Sequence, residues 1–307
     1  MLNKDINDPF FSTKLIGLDN YFDELINLYK SKNFPKALLL SGQKGLGKFT
    51  LINHFLNYIF AKSNYNYDKK EIDIESSIYK KTLSNSFQNI LYLKNDGINK
   101  LKINDIRSLK SLLLKTNIDE GPRFIILDDV ENINLNSSNA LLKIIEEPSI
   151  NNFFILIDNK QEDLIQTIAS RCIKMRIFIK NSNRKKIISY LNEKNKLKNV
   201  LYYENTNLSP GLYLRYNLIC IENDISDNDN FHSKIDKLLK LYKKNKDKIF
   251  ISLLIFIIDN YFYKLSINSN TYFAINKKKI ETINCIKNFV KYNLSLASVQ
   301  NSIESYL

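Results

Sequence analysis

The chain has 307 residues, of which 44% are hydrophobic and 25% are charged. This is an ordinary globular composition, which excludes a disordered protein, and the length is sufficient for two or three domains with their own cores. The formal net charge of +13 suggests a polyanionic partner, but the lysines are scattered among many Asn, Ile and Tyr residues, as a bias of the coding sequence would also produce.

Three cysteines are widely separated along the chain, at Cys172, Cys220 and Cys285. They have no metal-ligand spacing and are odd in number, so we expect no zinc site, no other metal site and no disulfide framework. A reducing, cytoplasmic location follows. The N-terminus has no apolar stretch of signal-peptide length, and the longest apolar run, Ile249 to Ile258, is too short to cross a bilayer, so we expect no membrane association.

The first half of the chain alternates apolar strands with amphipathic helices. The predicted strands are Ala37 to Leu40, Ile90 to Leu93, Arg123 to Asp129 and a run from Phe153. The predicted helices are 21–30, Thr50 to Ala61, Ile103 to Leu114 and Ser137 to Glu146, and residues 64–87 are read as a connection with a poorly defined helix. Unbroken apolar strands between helices are typical of a parallel sheet covered on both faces, so the predicted fold class is α/β.

The alternation ends near residue 178, and the second half is predicted to be mostly helical. Helices are predicted at Ile187 to Leu197, Asp236 to Leu265 and Ile280 to Tyr292. Polar breaks near 223–230 and 268–270 separate them, and a domain boundary is expected near residue 223.

A phosphate-loop pattern stands between the first strand and its helix. The glycines Gly42, Gly45 and Gly47 allow the backbone to curl so that amide groups face phosphates, and Lys48 adds a positive charge. This strand, loop and helix context is the one that the motif requires, so these four residues are predicted to form a nucleotide site.

The position after the lysine departs from the pattern. A Ser or Thr hydroxyl normally binds magnesium there, but Phe49 occupies it and Thr50 follows one residue later. Each residue advances a helix by about 100°, so Thr50 points in another direction, although it could still touch a phosphate. We therefore expect ATP or ADP to bind weakly or not at all, with magnesium present only alongside nucleotide.

Acidic residues close the strand from Arg123. A hydrolytic ATPase has an aspartate for magnesium at this place and then a glutamate that orients the attacking water, whereas here Asp128 is followed by Asp129. Asp129 is one methylene shorter than that glutamate, which argues against efficient hydrolysis. The alternative is that both acids only cap a turn.

Arg171 lies past the strand from Phe153. A guanidinium there could reach across a subunit boundary and stabilise phosphate charge in a neighbouring site, and its forked, permanent charge suits that task better than lysine. The alternative is a surface arginine paired with a nearby acid. The two histidines, His54 and His232, are interpreted as packing or surface residues.

Three segments together resemble bacterial DNA polymerase III clamp-loader subunits of the AAA+ class, and most of all the delta-prime type. They are Leu39 to Thr50, Asp128-Asp129 together with Asn139 to Pro148, and Ser170 to Cys172. The resemblance implies an AAA+ domain over 1–178, a helical lid over 179–223 and a helical C-terminal collar domain over 224–307.

The resemblance also implies roles for individual residues. Arg171 would act as an arginine finger in trans on the ATP site of the adjacent subunit. Asn159 aligns with the first sensor position, although a turn-forming asparagine would look the same. Ser209 begins a segment similar to the second sensor, but Leu212 stands where that sensor has its arginine, and Arg215 is displaced.

The implied function is a ring stator that couples ATP hydrolysis by its neighbours to loading of the sliding clamp on primed DNA. The implied partners are the gamma/tau ATPase and delta subunits, with the clamp and DNA reached through the complex. Gamma and tau subunits look different, with Lys-Thr or Lys-Ser in the phosphate loop, an Asp-Glu strand end and a four-cysteine zinc module. The alternative is an active AAA+ ATPase, either the loader motor or a DNA-repair remodeller, in which Thr50 and Asp129 suffice.

Overall fold

A computed structural model describes residues 8–94, 103–113, 121–147, 151–160, 162–201, 206–226, 228–267 and 272–306. The strands in these ranges are β1 (Ala37–Ser41), β2 (Tyr65–Asn66), β3 (Glu71–Ile72), β4 (Ile90–Lys94), β5 (Arg123–Asp128), β6 (Asn152–Asp158) and β7 (Ile173–Arg176). The helices are α1 (Asp19–Lys30), α2 (Lys48–Phe60), α3 (Ser77–Leu83), α4 (Ile103–Leu113), α5 (Leu135–Glu146), α6 (Gln166–Ala169), α7 (Asn181–Lys194), α8 (Pro210–Glu222), α9 (Phe231–Asn245), α10 (Lys248–Ile267), α11 (Tyr272–Tyr292) and α12 (Leu296–Tyr306).

Five parallel strands form one sheet in the order β4-β5-β6-β1-β7. The strands β1 and β5 are buried along their whole length, as expected for a sheet covered on both faces. Because the strands are parallel, the residues that follow β1, β5 and β6 meet at one edge of the sheet. The predicted fold class is confirmed: an α/β domain with a five-stranded parallel sheet precedes a helical part.

Two apolar cores lie on opposite faces of this sheet. Alternate residues of β1 point to opposite sides, so that Leu38 and Leu40 join the core beneath α1 and α2, whereas Leu39 joins the core beneath α4 and α5. Leu39 is opposite Leu156 of β6 and Lys174 of β7. The outer edge strand β7 is not among the predicted strands, because it is short and only Met175 of its four side chains is buried.

Residues 64–87 hold more structure than predicted. They form a two-stranded antiparallel hairpin of β2 and β3, followed by the short helix α3. His54 of α2 fastens the hairpin, since its Nε2 lies 3.0 Å from the Ser12 carbonyl oxygen and its Nδ1 lies 3.0 Å from the Tyr65 hydroxyl. The interpretation of His54 as a packing residue is confirmed. Burial lowers the pKa of His54 to about 4.

The helices α9 to α12 form a bundle in which α9 packs against α10, α10 against α11, α11 against α12 and α12 against α9. The prediction of one helix from Asp236 to Leu265 is wrong, because α9 ends at Asn245 and the C-cap residue after it, Lys246, has a left-handed φ of 55°. The Asp247 carboxylate then accepts a hydrogen bond from the Ile249 amide and starts α10. The predicted break at 268–270 lies outside the described residues.

The helix α10 is longer than the apolar run seen in the sequence. Its 20 residues are enough to cross a membrane by length and composition, with a mean hydropathy of 1.5 over the most apolar window, which corrects the prediction that this segment is too short. The core helix of a soluble protein meets the same criterion. In α10, 39% of that stretch is buried, including Leu253, Leu254 and Ile258, with α9 and α11 as neighbours.

The chain divides into two compact units. The first comprises Met1–Lys196 with Leu208–Leu214, and the second comprises Leu197–Asn207 with Arg215–Leu307. The finer predicted division into domains of 1–178, 179–223 and 224–307 stays a prediction.

The burial of His54 predicts acid sensitivity. Its pKa is about 4 when folded and about 6.5 when exposed, so the unfolded chain binds more protons between these values and stability falls as the pH drops from about 6.5 to 4. We expect this one residue to contribute on the order of 3 kcal/mol of that loss. The measurement is the urea unfolding free energy of wild type and His54→Gln at a series of pH values.

The difference between wild type and His54→Gln should shrink as the pH falls through this window. His232→Gln removes the other histidine of the chain and is the matched control, which should keep the acid-dependent loss. A difference that does not change with pH would mean that His54 does not carry the effect.

Candidate functional site

The candidate site lies where β1, β5 and β6 end side by side. The phosphate loop follows β1, Asp128 and Asp129 close β5, and Asp158 and Asn159 close β6. Ser41 at the end of β1 donates a hydrogen bond from its hydroxyl to the Asp158 carboxylate at 2.8 Å. The register of neighbouring strands thus gathers polar residues from three distant parts of the chain.

The phosphate loop encloses the ammonium group of its own lysine. Gly45 and Gly47 have φ angles of +82° and +83°, which an L side chain rarely adopts, so the tight curl of the loop depends on these glycines. Lys48 is 3% exposed, and its Nζ donates to the carbonyl oxygens of Gly42 at 2.6 Å and Gln43 at 2.9 Å.

The next two carbonyl groups of the loop also accept hydrogen bonds. The Ser209 hydroxyl donates to the Lys44 carbonyl, and the Gly211 amide donates to the Gly45 carbonyl at 2.9 Å. A Cβ atom on Gly45 would lie only 2.6 Å from the amide nitrogen of Leu212, so the first turn of α8 packs directly on the loop. Four consecutive loop carbonyls therefore accept hydrogen bonds from donors of the chain itself.

The ammonium group of Lys48 is already engaged within the chain. Burial lowers its pKa to about 8, although the nearby carboxylates, led by Asp128 and Glu131, favour the charged form. The side chain therefore stays mostly charged near neutral pH, and two loop carbonyls accept its hydrogen bonds.

Asn159 joins the two aspartates that end β5. Its side-chain amide donates to one carboxylate oxygen of Asp128 at 2.9 Å and to one of Asp129 at 2.7 Å. The Tyr92 hydroxyl donates to the other oxygen of Asp128 at 3.0 Å. Burial and the charge of Asp129 raise the pKa of Asp128. Both oxygens of the expected magnesium ligand thus have protein partners.

Asp129 and Glu131 complete the network. The backbone of Asp129 is left-handed, with a φ of 55°, and Lys44 of the loop lies 3.2 Å from its carboxylate. The backbone amide nitrogen of Asn159 donates to both carboxylate oxygens of Glu131 at 3.1 Å. This arrangement of the acids is compatible both with a turn-capping role and with a place in a nucleotide site.

Phe49 occupies the position at which a magnesium-binding hydroxyl is expected, and its ring packs in the core. The ring is buried, with its centroid 4.5 Å from that of Phe10 and 4.7 Å from that of Tyr92. The residue serves the apolar core next to the site. Thr50 is partly exposed and lies beside Gly47.

Arg171 lies apart from this cluster, after α6. Its Nε donates to the Glu146 carboxylate and its Nη1 donates to the Thr167 carbonyl at 3.1 Å, while 40% of its side chain is exposed. Within the single chain it is a surface arginine paired with an acid. Its role towards a neighbouring subunit stays a prediction.

The structure brings together most of the predicted site residues. They are Gly42, Gly45, Gly47, Lys48, Asp128, Asp129 and Asn159, with Thr50 at the border of the cluster. Sequence reasoning missed Tyr92 and Lys44 as partners, since nothing local in the sequence marks which side chain reaches a strand end. It named Ser209 as the start of the segment similar to the second sensor, but not the contact of its hydroxyl with the loop. No group of three or more His, Cys, Asp or Glu residues able to hold a metal ion occurs in the described part of the chain.

Comparison with known proteins identifies a family that the sequence matches. The family described as "DNA polymerase III, delta subunit" matches residues 17–181. A DNA polymerase III subunit delta' from Buchnera aphidicola subsp. Schizaphis graminum is 27% identical over 180 residues, which cover 55% of this chain and 54% of the relative. The delta' subunit from Buchnera aphidicola subsp. Baizongia pistaciae is 23% identical over 317 residues, which cover 94% of this chain and 90% of the relative.

Related subunits of another type also match. The DNA polymerase III subunit gamma from Buchnera aphidicola subsp. Schizaphis graminum is 28% identical over 170 residues, which cover 54% of this chain and 44% of that protein. The chain spans about half the length, or less, of the first curated relatives that it matches.

Removal of the Asn159 amide should destabilise the sheet edge. Asn159→Leu keeps the volume but leaves two buried carboxylates close together without their shared donor, and we expect a loss of about 2–4 kcal/mol in the free energy of unfolding. Chemical denaturation measures it. Asn27→Leu, on the exposed side of α1, is the control and should change stability by about 0.5 kcal/mol or less.

A second substitution tests the cause. Asp129→Asn in the Asn159→Leu background removes one of the two charges and should restore part of the stability. No recovery would show that the loss comes from packing and not from the unpaired carboxylates.

Proposed function

The chain belongs to the DNA polymerase III clamp-loader subunit family of the delta-prime type, and from this premise we propose that it is a stator of the loader ring that supplies Arg171 to the ATP site of a neighbouring subunit. Binding and hydrolysis of ATP by that neighbour would then be coupled to loading of the sliding clamp on primed DNA. In this proposal, this chain contributes the guanidinium charge of Arg171, and the neighbouring subunit binds the nucleotide.

The closed phosphate loop is the observation that carries the proposal. Lys48 binds loop carbonyls, Phe49 is part of the core, and Asp128 is held by Tyr92 and Asn159. A bound nucleotide with magnesium would have to displace several of these contacts. This arrangement favours a subunit that binds ATP or ADP weakly or not at all, with magnesium only alongside nucleotide and without zinc.

Arg171 is suited to a contact outside its own chain. Its carboxylate partner, Glu146, is as exposed as the arginine, and an exposed ion pair contributes about 0–1 kcal/mol. The guanidinium can therefore exchange Glu146 for a phosphate at little cost. Cys172, the next residue, is partly buried against the core beneath α4 and α5, and this packing holds the backbone from which Arg171 projects.

The proposed partners follow from the family. We expect gamma or tau ATPase subunits and a delta subunit in a hetero-oligomeric ring, with the sliding clamp and primed DNA reached through the complex. The proposed location is the cytoplasm, where bacterial replication takes place.

The isolated chain should not hydrolyse ATP at a useful rate, because the magnesium hydroxyl is missing and the acids are engaged. We expect the turnover of wild type to equal that of Lys48→Ala, in which any loop-dependent hydrolysis is lost. The measurement is phosphate release by the purified chain with ATP and magnesium. Turnover well above that of Lys48→Ala would favour the alternative, an active AAA+ ATPase that uses Thr50 and Asp129.

Arg171→Ala should reduce ATP turnover by the reconstituted loader, measured with clamp and primed DNA, by about tenfold or more. Arg171→Lys should recover little, because a lysine lacks the planar fork. Arg107→Ala, an exposed arginine on α4, is the matched control, and ring assembly is checked by gel filtration. Glu146→Gln frees Arg171 and should keep full turnover.

Unchanged turnover in an assembled Arg171→Ala ring would overturn the arginine-finger role. Arg171 would then be a surface ion-pair residue, and its loss would alter stability only by the small amount expected for an exposed ion pair.

A further inference from the structure

From Lys174 of the edge strand β7 to Lys180, four residues after the strand, exposed and buried side chains alternate strictly. The inner row is buried in the core beneath α1 and α2 and consists of Met175, Ile177 and Ile179. The outer row is exposed and consists of Lys174, Arg176, Phe178 and Lys180. Three cations and one aromatic ring thus lie in a row on the exposed side of the edge strand β7 and of the residues that follow it.

Phe178 is fixed in place although its ring faces solvent. The ring is 65% exposed, while the backbone amide of Phe178 donates to the Tyr21 hydroxyl at 3.1 Å and that hydroxyl donates to the Phe178 carbonyl at 3.4 Å. A rigidly presented, exposed aromatic ring costs little entropy to bind, and it offers a large flat surface for stacking.

The three cations of the outer row have no carboxylate partner among the described residues. Elsewhere in the same unit Lys14, Lys70 and Lys160 each form an ion pair. Alternate residues of a strand are about 6.6 Å apart, so the row extends over about 20 Å. Its charges are regularly spaced and available to an anionic partner.

We propose that this outer row, Lys174, Arg176, Phe178 and Lys180, is a direct binding surface for single-stranded nucleic acid. The cations would contact successive backbone phosphates, and an unpaired base would stack on the Phe178 ring. The net charge of +13 would favour the encounter with a polyanion. This surface is separate from Arg171, so the inference does not depend on the arginine-finger role.

The composition of the row favours a nucleic acid over an acidic protein. Protein interfaces are depleted in lysine and have a continuous apolar centre, whereas this row has one aromatic ring between cations. Cations that follow a line with an aromatic side chain among them are the pattern by which proteins bind single strands without sequence preference.

The test is the fluorescence anisotropy of a labelled oligothymidine titrated with the full-length chain at several salt concentrations. The first variant combines Lys174→Gln, Arg176→Gln and Lys180→Gln. The matched control combines Lys62→Gln, Lys81→Gln and Lys110→Gln, which removes the same charge from exposed positions of the same unit. A third variant, Phe178→Leu, removes only the aromatic ring.

We expect the outer-row triple variant to bind at least tenfold more weakly than the control triple variant, and the slope of log affinity against log salt to become shallower by about 2. Phe178→Leu should lose about fivefold or more in affinity with the wild-type salt slope. Circular dichroism and thermal unfolding confirm that each variant is folded.

Equal weakening by the two triple variants would overturn the proposal, since only the net charge would then matter. Wild-type binding by the outer-row variant would overturn it too. If that variant keeps its affinity for oligothymidine but fails to join the loader ring, the row is a protein interface and the proposal is wrong.

Discussion

The burial of Lys48 among carboxylates is the constraint on which the rest of the site depends. A buried ammonium group is costly unless hydrogen bonds and opposite charges compensate it. Here two loop carbonyls bind the ammonium, and the nearby acids, led by Asp128 and Glu131, provide the charge. Those acids repel one another in turn, so the amide of Asn159 and the ammonium of Lys44 hold them together.

The fold could be predicted from the sequence where strands are buried on both faces. β1 and β5 are unbroken apolar runs between helices, and they leave no alternative to a covered parallel sheet. The edge strand β7 was out of reach, because its outer side chains are charged and its run is only four residues long. The division between α9 and α10 was hidden too, since Lys246 and Asp247 lie in a continuous helical pattern and act through local backbone geometry.

Prediction of the candidate site succeeded for residues that a motif fixes and failed for residues that only the fold brings close. The loop glycines, Lys48 and Asp128 follow from spacing along the chain. Tyr92 reaches Asp128 from the adjacent strand, 36 positions away in sequence, and Ser209 reaches the loop over 165 positions. Such contacts depend on strand order and helix placement, for which a single sequence has no local signal.

A loop that satisfies its own carbonyls has a different physical role from one that waits for a phosphate. In the latter, the ligand supplies the negative charge beside the lysine; here backbone oxygens and neighbouring acids surround the Lys48 ammonium. The first turn of α8 takes part in the same closure through the Gly211 amide and the Ser209 hydroxyl. Phe49 reinforces it, because a core aromatic at the metal position links the loop helix to Tyr92 and through it to Asp128. The loop thereby has a structural role at the carboxyl ends of the strands, which is consistent with a subunit whose neighbour carries out the chemistry.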